Sequence, residues 1–388
     1  MTKNIIYLDN NATTAVDSRV LDSMLPFLTN SYANASSTHK FGVDAYNGVK
    51  LARKKVADLI GADSNEIIFT SGATESINMT IQGIADIYKE KGKHIITVLT
   101  EHSAVLDTCK YLETKGYEIS YLTVDNDGLI DIDELKSALR TDTILVSVMY
   151  VNNETGVIQS IKEIAEIAHS NNSLFMTDAT QAVGKIQLKV DDLGVDLMSI
   201  SGHKMYASKG IGALYIRQRY NCVKIPALIH GGGQEKGLRS GTLNVPGIVA
   251  LGTAAEIAKK EMEKDHKRIS QLRNYLESEL LKIPDTHLNG SSQERLYNTT
   301  NIRFKGVDSD ALIMGLSNFD DYLVVVSKGS ACNSSNMEPS HVLTAMGLDE
   351  TSAFNSVRIS LGRFNSKSDV EIAAKSITQV VNDLRSML

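Results

Sequence analysis

The spacing of apolar and polar positions alternates between two patterns from about residue 43 to residue 216. Stretches with helical spacing cover residues 42–61, 75–92 and 160–172. Short apolar runs predict strands at EIIFT (66–70), HIITVLT (94–100), TILVSVMY (143–150), SLFMT (173–177) and LMSIS (197–201). Helices that alternate with buried strands predict an α/β domain with a mostly parallel central sheet covered on both faces.

A polar cluster follows each of the five predicted strands. In chain order the clusters are SGATES, EHSA, NNETG, DATQ and SGHK. In open sheets of this kind, ligands bind beyond the carboxyl ends of the strands. We therefore expect the five clusters to form one site.

The pattern changes after residue 245. Residues 247–283 form one long helical stretch, which predicts a connector that leaves the first domain. Strands near 298–304 and 322–327 and helices near 310–316 and 369–388 predict a smaller α+β unit. We expect a large domain of residues 16–258 and a small domain of residues 1–15 and 259–388.

Composition excludes several classes of protein. A hydrophobic content of 42% and a charged content of 22% are those of an ordinary soluble protein. A net charge of −6 argues against general binding of nucleic acids. No apolar run approaches the roughly 18–20 residues that span a membrane. Three cysteines are too few and too scattered for a disulfide framework or a zinc site. We expect a cytoplasmic enzyme with free thiols that binds neither membrane nor metal.

Lys204 and Asp178 stand at the ends of two predicted strands. A lysine in this place is more often a solvated surface residue, and the aspartate could equally cap the next helix. A desolvated lysine, however, loses its proton and becomes nucleophilic, and a buried carboxylate can hold a protonated pyridine nitrogen. This pair is what pyridoxal 5'-phosphate (PLP) requires of a protein.

A phosphate needs hydrogen-bond donors, and residues 71–74 supply hydroxyls and backbone N–H groups at a helix N-terminus. An ordinary helix cap is the alternative explanation for these residues. Ser201 and His203 could add side-chain donors. His102 could stack on the pyridine ring and exchange protons, or it could simply satisfy a turn.

The remaining candidates would hold the ring hydroxyl and a substrate. Gln181 and Asn153 are neutral hydrogen-bonding residues suited to both. Arg358 is a candidate for a bidentate grip on an α-carboxylate, and Arg363 is its rival. Arg358 is preferred because it lies in a strand-like run whose alternation of side chains points it toward the protein interior.

Cys332 lies in residues 327–339, a run of small and polar residues without helical or strand period. Free cysteine usually behaves as a small buried hydrophobe. A loop of this composition favours an accessible thiol instead, which could react with a substrate.

The motifs resemble those of the NifS/IscS-type cysteine desulfurases, within the fold-type I PLP enzymes and the class V aminotransferases. The resemblance spans nearly the whole chain. It rests on YLDNNATT, EIIFTSGATES, EHSAV, VNNETGV, DATQAVGK, SGHKMY, KGIGALYIR, GGGQEKGLRSGTLNV, GSAC, EPSHVL and VRISLGRF. It implies the fold-type I architecture, with a large PLP-binding domain and a smaller α+β domain that carries the cysteine loop.

The resemblance also implies a role for each candidate residue. Lys204 would bind the cofactor covalently, Asp178 would pair with its pyridinium, Gln181 would reach its ring oxygen, and His102 would stack and exchange protons. Asn153 and Arg358 would hold the substrate, and Cys332 would accept the sulfur. The phosphate would be held by Ala73, Thr74, Ser201 and His203, with Thr242 reaching the phosphate of a neighbouring subunit.

The implied reaction converts L-cysteine to L-alanine and leaves a persulfide on Cys332. The implied partners are a second copy of the chain and a sulfur acceptor, such as an iron–sulfur scaffold or a thiolation enzyme. Iron–sulfur cluster assembly, tRNA thiolation, cofactor synthesis and DNA phosphorothioation all begin with this step. Rival hypotheses are a selenocysteine lyase or another class V aminotransferase-like enzyme, which need no nucleophile at Cys332, and a non-catalytic scaffold.

Overall fold

The computed structural model describes residues 4–219, 222–317, 319, 321–328 and 338–387. Its strands are β1 (Asn4–Tyr7), β2 (Ile67–Thr70), β3 (His94–Val98), β4 (Glu118–Leu122), β5 (Thr143–Ser147), β6 (Leu174–Asp178), β7 (Leu197–Ser201), β8 (Gly212–Ile216), β9 (Thr286–Leu288), β10 (Thr299–Phe304), β11 (Tyr322–Val325) and β12 (Ser356–Ser360). Its helices are α1 (Ser18–Thr29), α2 (Lys40–Ile60), α3 (Ala73–Tyr88), α4 (Ser103–Glu113), α5 (Ile132–Ala138), α6 (Ile161–Ser170), α7 (Val190–Leu193), α8 (Val245–Leu280), α9 (Ser309–Ser317), α10 (His341–Ala345), α11 (Glu350–Phe354) and α12 (Lys367–Ser386).

The central sheet has seven strands in the order β2-β8-β7-β6-β5-β3-β4 in the described part of the chain. Only β8 runs antiparallel to its neighbours, and all other pairs are parallel. Because β8 is antiparallel to both β2 and β7, these two strands point the same way as the rest. The carboxyl ends of the five predicted strands therefore meet at one edge of the sheet, which confirms the mostly parallel α/β fold.

The sheet is buried on both faces because neighbouring residues of its strands enter different cores. Phe175 and Met176 of β6 are both buried, yet Phe175 packs in the cluster that includes α2, α6 and α8. Met176 packs in the cluster that includes α3 and α4. Successive side chains of a strand point to opposite faces, so continuous apolar runs are what a sheet covered on both sides requires.

A long helix leads from the central sheet to a second set of strands. Helix α8 has 36 residues, and its bounds agree with the connector predicted from residues 247–283. Beyond it, β9, β10 and β12 form an antiparallel sheet, and β1 pairs in parallel with β11. The division into residues 16–258 and residues 1–15 with 259–388 stays a prediction. Among the described residues, no helix is long and apolar enough to cross a membrane.

The sequence did not predict β4, β8 or helices α1, α4 and α5, and it placed Lys204 at the very end of a strand. The strand ends instead at Ser201, and Lys204 is the last residue of a 3₁₀ turn, Gly202–Lys204. The chain leaves the ladder at Gly202, where a Cβ atom would come within 2.9 Å of Ile211 Cγ2. Strand β8 was missed because it returns antiparallel from this turn without an intervening helix.

Candidate active site

A cleft of about 1400 Å³ lies at the edge of the sheet where the five strands end. Most of the residues predicted to act together line it. They are Ala73, Thr74, His102, Asn153, Asp178, Gln181, Ser201, His203, Lys204 and Arg358. The convergence of the five polar clusters is thus present in the structure.

Lys204 reaches the cleft from the turn after β7. Its Nζ donates hydrogen bonds to the backbone oxygens of Asn11, at 2.5 Å, and Ala12, at 2.7 Å. The turn is closed by the backbone N–H of Met205, which donates to the Gly202 carbonyl oxygen at 2.9 Å. The amine is therefore held at a fixed point of the cleft by the segment that follows β1.

Asp178 is the last residue of β6 and is buried. Its Oδ1 accepts hydrogen bonds from the Ser199 hydroxyl at 2.7 Å and from the Thr180 backbone N–H at 3.0 Å. The contact with Thr180 is the turn-capping role that the sequence left open, and it occupies only one of the two oxygens. Within the described residues, Oδ2 makes no hydrogen bond and remains for a cationic ligand in the cleft.

Helix α3 begins at the cleft, at Ala73, two residues before the predicted start. Its N-cap is Gly72, which has no side chain to accept from the first turn, so the N–H groups of Ala73 and Thr74 have no partner among the described residues. Apart from the adjoining backbone, no atom of the described residues lies within 4 Å of the position where a Cβ of Gly72 would stand. The helix start is therefore an open set of N–H donors at the positive end of the helix dipole.

Ser201 and His203 line the same cleft as this helix start. His203 Nδ1 lies 3.1 Å from Thr13 Oγ1, and the His203 carbonyl oxygen accepts from Thr14 N–H at 2.9 Å. Burial, together with the charges of Lys204 and Lys209, lowers the pKa of His203 to about 4. The two lysine charges disfavour a protonated imidazole, and for the same reason they favour a bound anion.

His102 is the N-cap of helix α4. Its Nδ1 accepts a hydrogen bond from the Ala104 backbone N–H at 3.1 Å, so the neutral ring carries its proton on Nε2. Burial lowers the pKa of His102, against an opposing effect of Asp178. The ring is therefore neutral at pH 7. His102 both caps the start of α4 and lines the cleft.

Arg358 lies in β12 and is 1% exposed, as its inward phase predicted. Its guanidinium donates to Asp9 Oδ1 at 2.5 Å and to the Asn153 carbonyl oxygen at 3.1 Å. Its rival Arg363 does not line the cleft and pairs with Asp17 and Asp265 at 3.0 and 2.8 Å. The choice of Arg358 over Arg363 as the cleft arginine agrees with this placement.

Comparison with known proteins decides the family. The family model described as Aminotransferase class-V matches residues 6–372. Cysteine desulfurase IscS of Haemophilus influenzae is 49% identical over 385 residues, with 98% of this chain and 94% of that protein covered. The chain belongs to the class V aminotransferase family, among its cysteine desulfurases of the NifS/IscS type.

Solved structures agree with this assignment. A NifS-like protein superposes with a TM-score of 0.91 at 39% identity, with 98% of this chain and all of that chain covered. SspA in complex with cysteine superposes with a TM-score of 0.81 at 39% identity, with 94% of this chain and all of that chain covered. The predictions of fold class, of a cysteine desulfurase and of PLP as its cofactor are confirmed.

Cysteine desulfurases of this family depend on PLP, and the cleft fits that group. Donors for a phosphate stand at the start of α3, an amine suited to an aldehyde stands at Lys204, and the free Oδ2 of Asp178 suits a protonated ring nitrogen. The cleft fits PLP because these three kinds of group occur together, and no single residue would be sufficient.

Two predicted site residues are not placed in the cleft. Thr242 is exposed, in the segment just before α8, and does not line the cleft. Cys332 lies outside the described residues. Their roles stay predictions, as do the individual roles of the residues that line the cleft.

The sequence analysis missed Asn11, which is 1% exposed. Its carbonyl oxygen accepts from both Lys204 Nζ and Gln181 Nε2, the latter at 3.0 Å. Its side chain donates to Thr299 Oγ1 at 2.9 Å and to the Asn153 carbonyl oxygen at 3.2 Å. The motif YLDNNATT was the available signal. Every residue has a backbone carbonyl, however, so the sequence does not show where one is used as an acceptor.

Two buried carboxyl groups near the cleft were also missed. Glu101, directly before His102, is fully buried and accepts from the Met149 backbone N–H at 2.5 Å, and burial raises its pKa well above the ordinary value. Burial also raises the pKa of Glu154, which accepts from the Ser340 hydroxyl at 2.5 Å. Both glutamates lie in the polar clusters that follow predicted strands.

Proposed function

We propose that this cleft converts L-cysteine to L-alanine and that Cys332 receives the sulfur as a persulfide. The observation that carries the proposal is the arrangement of Lys204, Asp178 and Arg358 around one cleft, in a chain that belongs to the cysteine desulfurases. When bound, PLP supplies an electron sink for the pair of electrons left on the substrate α-carbon. The residues of the chain bind, orient and move protons.

The cofactor end of the proposal assigns one task to each contact. The N–H groups of Ala73 and Thr74 and the side chains of Ser201 and His203 hold the phosphate. Asp178 would keep the ring nitrogen protonated, and Gln181 would donate to the ring oxygen. Lys204 would hold the cofactor covalently, and its free amine would take the substrate α-proton.

In this proposal His102 would stack on the ring and would exchange a proton. Because its Nδ1 already accepts from Ala104 N–H, proton uptake by the neutral ring occurs at Nδ1 and breaks that cap. An unperturbed thiol has a pKa of about 8.5 and is only a few per cent ionised at pH 7. In this proposal the neutral imidazole of His102, or the substrate amine, therefore takes the proton of the Cys332 thiol.

The substrate end places Asn153 and Arg358 at the α-carboxylate of L-cysteine. The guanidinium is fixed by Asp9 and by the Asn153 carbonyl oxygen, so little side-chain freedom is lost when a carboxylate binds. A planar fork of donors is suited to a carboxylate.

The sulfur transfer is balanced without another reagent. The Cys332 thiolate attacks the substrate sulfur, the substrate carbon–sulfur bond breaks, and a sulfur–sulfur bond forms. The sulfur is oxidised to the persulfide level, and the substrate carbon skeleton is reduced to that of alanine, with its β-carbon taking a proton. L-Cysteine and one thiol thus give L-alanine and one persulfide.

The experiment compares the wild-type holoenzyme with Cys332→Ala and Lys204→Ala. Alanine formation is measured with a reductant. The mass of the peptide that carries residue 332 is measured in a separate reaction without one, because a reductant removes the persulfide sulfur. We expect one added sulfur atom in the wild type, loss of alanine formation in both variants, and loss of a borohydride-reducible visible band only in Lys204→Ala.

Cys222→Ser is the matched control, because Cys222 is an exposed free cysteine. It should keep the wild-type rate. Full-rate sulfide release by Cys332→Ala would contradict the proposal and favour the lyase-type activity, which needs no such nucleophile. A purified protein without the visible band would revive the non-catalytic scaffold.

We propose that the chain acts as a homodimer. Leu21, Leu25 and Leu28 form a stripe on α1 and are 45%, 43% and 54% exposed, while Val20 on the same helix is buried. Exposed apolar patches of this kind are typical of protein interfaces. Thr242 is also exposed, which is compatible with a contact to the phosphate in the other subunit.

Analytical ultracentrifugation tests the dimer. We expect about twice the chain mass of 42.3 kDa for the wild type and a shift to monomer for Leu25→Asp with Leu28→Asp. Ile87→Asp, on an exposed position of α3, is the control and should stay dimeric. A wild-type monomer that retains PLP and activity would contradict the proposed dimer.

The persulfide serves, in this proposal, a cytoplasmic acceptor protein such as an iron–sulfur scaffold or a thiolation enzyme. The support is the family, because cysteine desulfurases hand on the sulfur that they mobilise. Capture of proteins on the persulfidated enzyme, compared with Cys332→Ala, tests it. An acceptor that loads equally from both forms would contradict delivery through Cys332.

A further inference from the structure

Lys185 is a buried lysine close to the cleft, and it has no role in the function proposed above. It follows β6 and the DATQ cluster, is 7% exposed, and does not line the cleft. Among the described residues, its Nζ makes one hydrogen bond, to Gln181 Oε1 at 2.6 Å. Burial of an amine with a single hydrogen-bond partner is unfavourable in free energy, and the contact with Gln181 is the one that offsets it.

That contact fixes which way the Gln181 amide points. With Oε1 accepting from Lys185, Nε2 faces the other way and donates to the Asn11 carbonyl oxygen at 3.0 Å. A flipped amide would place its NH₂ group against the Lys185 amine and its oxygen against the Asn11 carbonyl oxygen. The contact between the two oxygens would be unfavourable in either protonation state of Lys185, and the contact between the two nitrogens would be unfavourable when Lys185 is protonated.

The amide nitrogen has two hydrogens, and the Asn11 carbonyl takes one of them. The second is the donor available to a group in the cleft, which Gln181 lines. The same Asn11 oxygen also accepts from Lys204 Nζ. Lys185, Gln181, Asn11 and Lys204 therefore form one connected set of hydrogen bonds.

The charges around Lys185 show that it is not an ion-pair partner. The two charged groups that act on it most are Lys204 and Arg358, both cations. Within the described part of the chain, Nζ forms its one hydrogen bond with the neutral Gln181 amide. Burial, with these two charges, lowers the pKa of Lys185 to about 7. Both the protonated and the neutral amine can donate to Oε1, so the contact with Gln181 persists in either state.

We propose that Lys185 is a positioning residue that locks the Gln181 amide with one N–H directed at the ring oxygen of PLP. This inference rests on the proposed role of Gln181. Lys185 acts through Gln181 and touches neither cofactor nor substrate.

The test is the pH dependence of the visible absorption of PLP bound to Lys204 in the holoenzyme. In Lys185→Met, which keeps length but removes the donor, the amide is free to turn its oxygen toward the ring oxygen. Without a donor, the ring oxygen is more negative and stabilises the proton on the nitrogen that joins Lys204 to PLP. The pKa of that nitrogen, measured from the visible spectrum and called the spectral pKa, should therefore rise by about half a unit to one unit, as expected for one hydrogen bond.

A double-mutant cycle makes the test specific. Gln181→Ala should give a similar rise, and Lys185→Met combined with Gln181→Ala should give no more than Gln181→Ala alone. Lys189→Met, on an exposed lysine four residues further along, is the matched control and should leave the spectrum unchanged. Additive shifts, or a wild-type spectral pKa in Lys185→Met, would overturn the inference.

Lys185→Arg keeps a donor and should retain the wild-type spectral pKa. It keeps the inference testable if Lys185→Met fails to fold, because a shifted value in a cooperatively melting Lys185→Arg holoenzyme would also overturn it. Failure of the proposed function looks different, because the wild type itself would then lack a visible band that depends on Lys204.

Discussion

The two ends of the cleft are built in different ways. One, the sheet end, consists of Ala73, Asp178, Ser201 and Lys204, which all stand at or just beyond the ends of strands of the central sheet. The other, the arginine end, consists of Asp9, Asn153 and Arg358. Its defining contact joins residues that are 349 positions apart.

The difference shows which parts of a site follow from secondary structure. At the sheet end, Asp178 is oriented by Ser199 on the adjacent strand β7, so strand order alone brings the two together. At the arginine end, Arg358 is 1% exposed, and its charge is balanced by Asp9 from the segment after β1. The sheet end depends on strand order, and the arginine end depends on how the two termini of the chain pack together.

The largest effect should come from Asp178→Asn at the sheet end. Asparagine keeps an oxygen for Ser199 and Thr180, but it removes the negative charge that a protonated ring nitrogen needs. We expect alanine formation to fall by about a hundredfold to a thousandfold, the usual cost of losing one aimed electrostatic group. Steady-state kinetics on the PLP-saturated enzyme measure it.

Asp86→Asn is the matched control, since Asp86 is an exposed carboxylate on α3. It should leave the rate unchanged. A rate for Asp178→Asn within a few fold of the wild type would show that the sheet end does not need its charge, and the contrast between the two ends would lose its chemical basis.

The next effect should come from Arg358→Met at the arginine end. Loss of a charged donor pair should raise KM for L-cysteine about tenfold to a hundredfold, with a smaller change in kcat. It also leaves Asp9 without its cation, so the free energy of unfolding should fall by about 3 kcal/mol. Kinetics and thermal unfolding separate the two consequences.

Arg363→Met is the matched control for this prediction. It removes ion pairs to Asp17 and Asp265, so we expect it to destabilise the fold without a comparable rise in KM. Equal rises in KM for the two variants would mean that stability, and not carboxylate binding, accounts for the effect at Arg358.

The contrast between the ends also marks how far the sequence could predict the site. The apolar runs and the polar clusters that follow them predicted strand ends at residues 70, 177 and 201, and the structure has them at residues 70, 178 and 201. The residues of the sheet end could therefore be placed from the sequence to within a few positions. The inward phase of β12 made Arg358 a candidate. Its partner Asp9 and the Asn11 carbonyl could not be predicted, because they depend on long-range packing and on backbone atoms.

The same limit explains the unpredicted parts of the fold. The pairing of β1 with β11 joins residues 4–7 to residues 322–325, and no local pattern encodes that register. Strand β8 breaks the alternation of strands and helices, so a pattern-based prediction passed over it. Lys185 was visible in the motif DATQAVGK, but its contact with Gln181 required the turn that follows β6.

Glu101, between the two ends, gives a smaller and pH-dependent effect. Burial raises its pKa in the folded protein, so above about pH 4.5 the folded state holds a proton that the unfolded state releases. Stability is then lost as the pH rises, by about 1.4 kcal/mol for each pH unit up to the folded pKa. Glu101→Gln removes this dependence and should be more stable than the wild type at pH 8.

Thermal unfolding from pH 4 to pH 8 measures this difference, which should be small near pH 4 and grow with pH. Glu113→Gln, which changes an exposed carboxylate on α4, is the control and should follow the wild type. A constant difference across the range would mean that Glu101 acts by packing rather than by protonation.

The smallest effect should come from Ser199→Ala, which tests orientation at the sheet end without touching the charge. The hydroxyl donates to Asp178 Oδ1 at 2.7 Å, and its loss should cost about 1 kcal/mol, or roughly a fivefold decrease in kcat/KM. Ser147→Ala is the control, because the buried Ser147 hydroxyl has no hydrogen-bond partner among the described residues. If Ser199→Ala were as damaging as Asp178→Asn, the orientation of the carboxylate would matter as much as its charge, and the sheet end would depend on side-chain contacts as closely as the arginine end does.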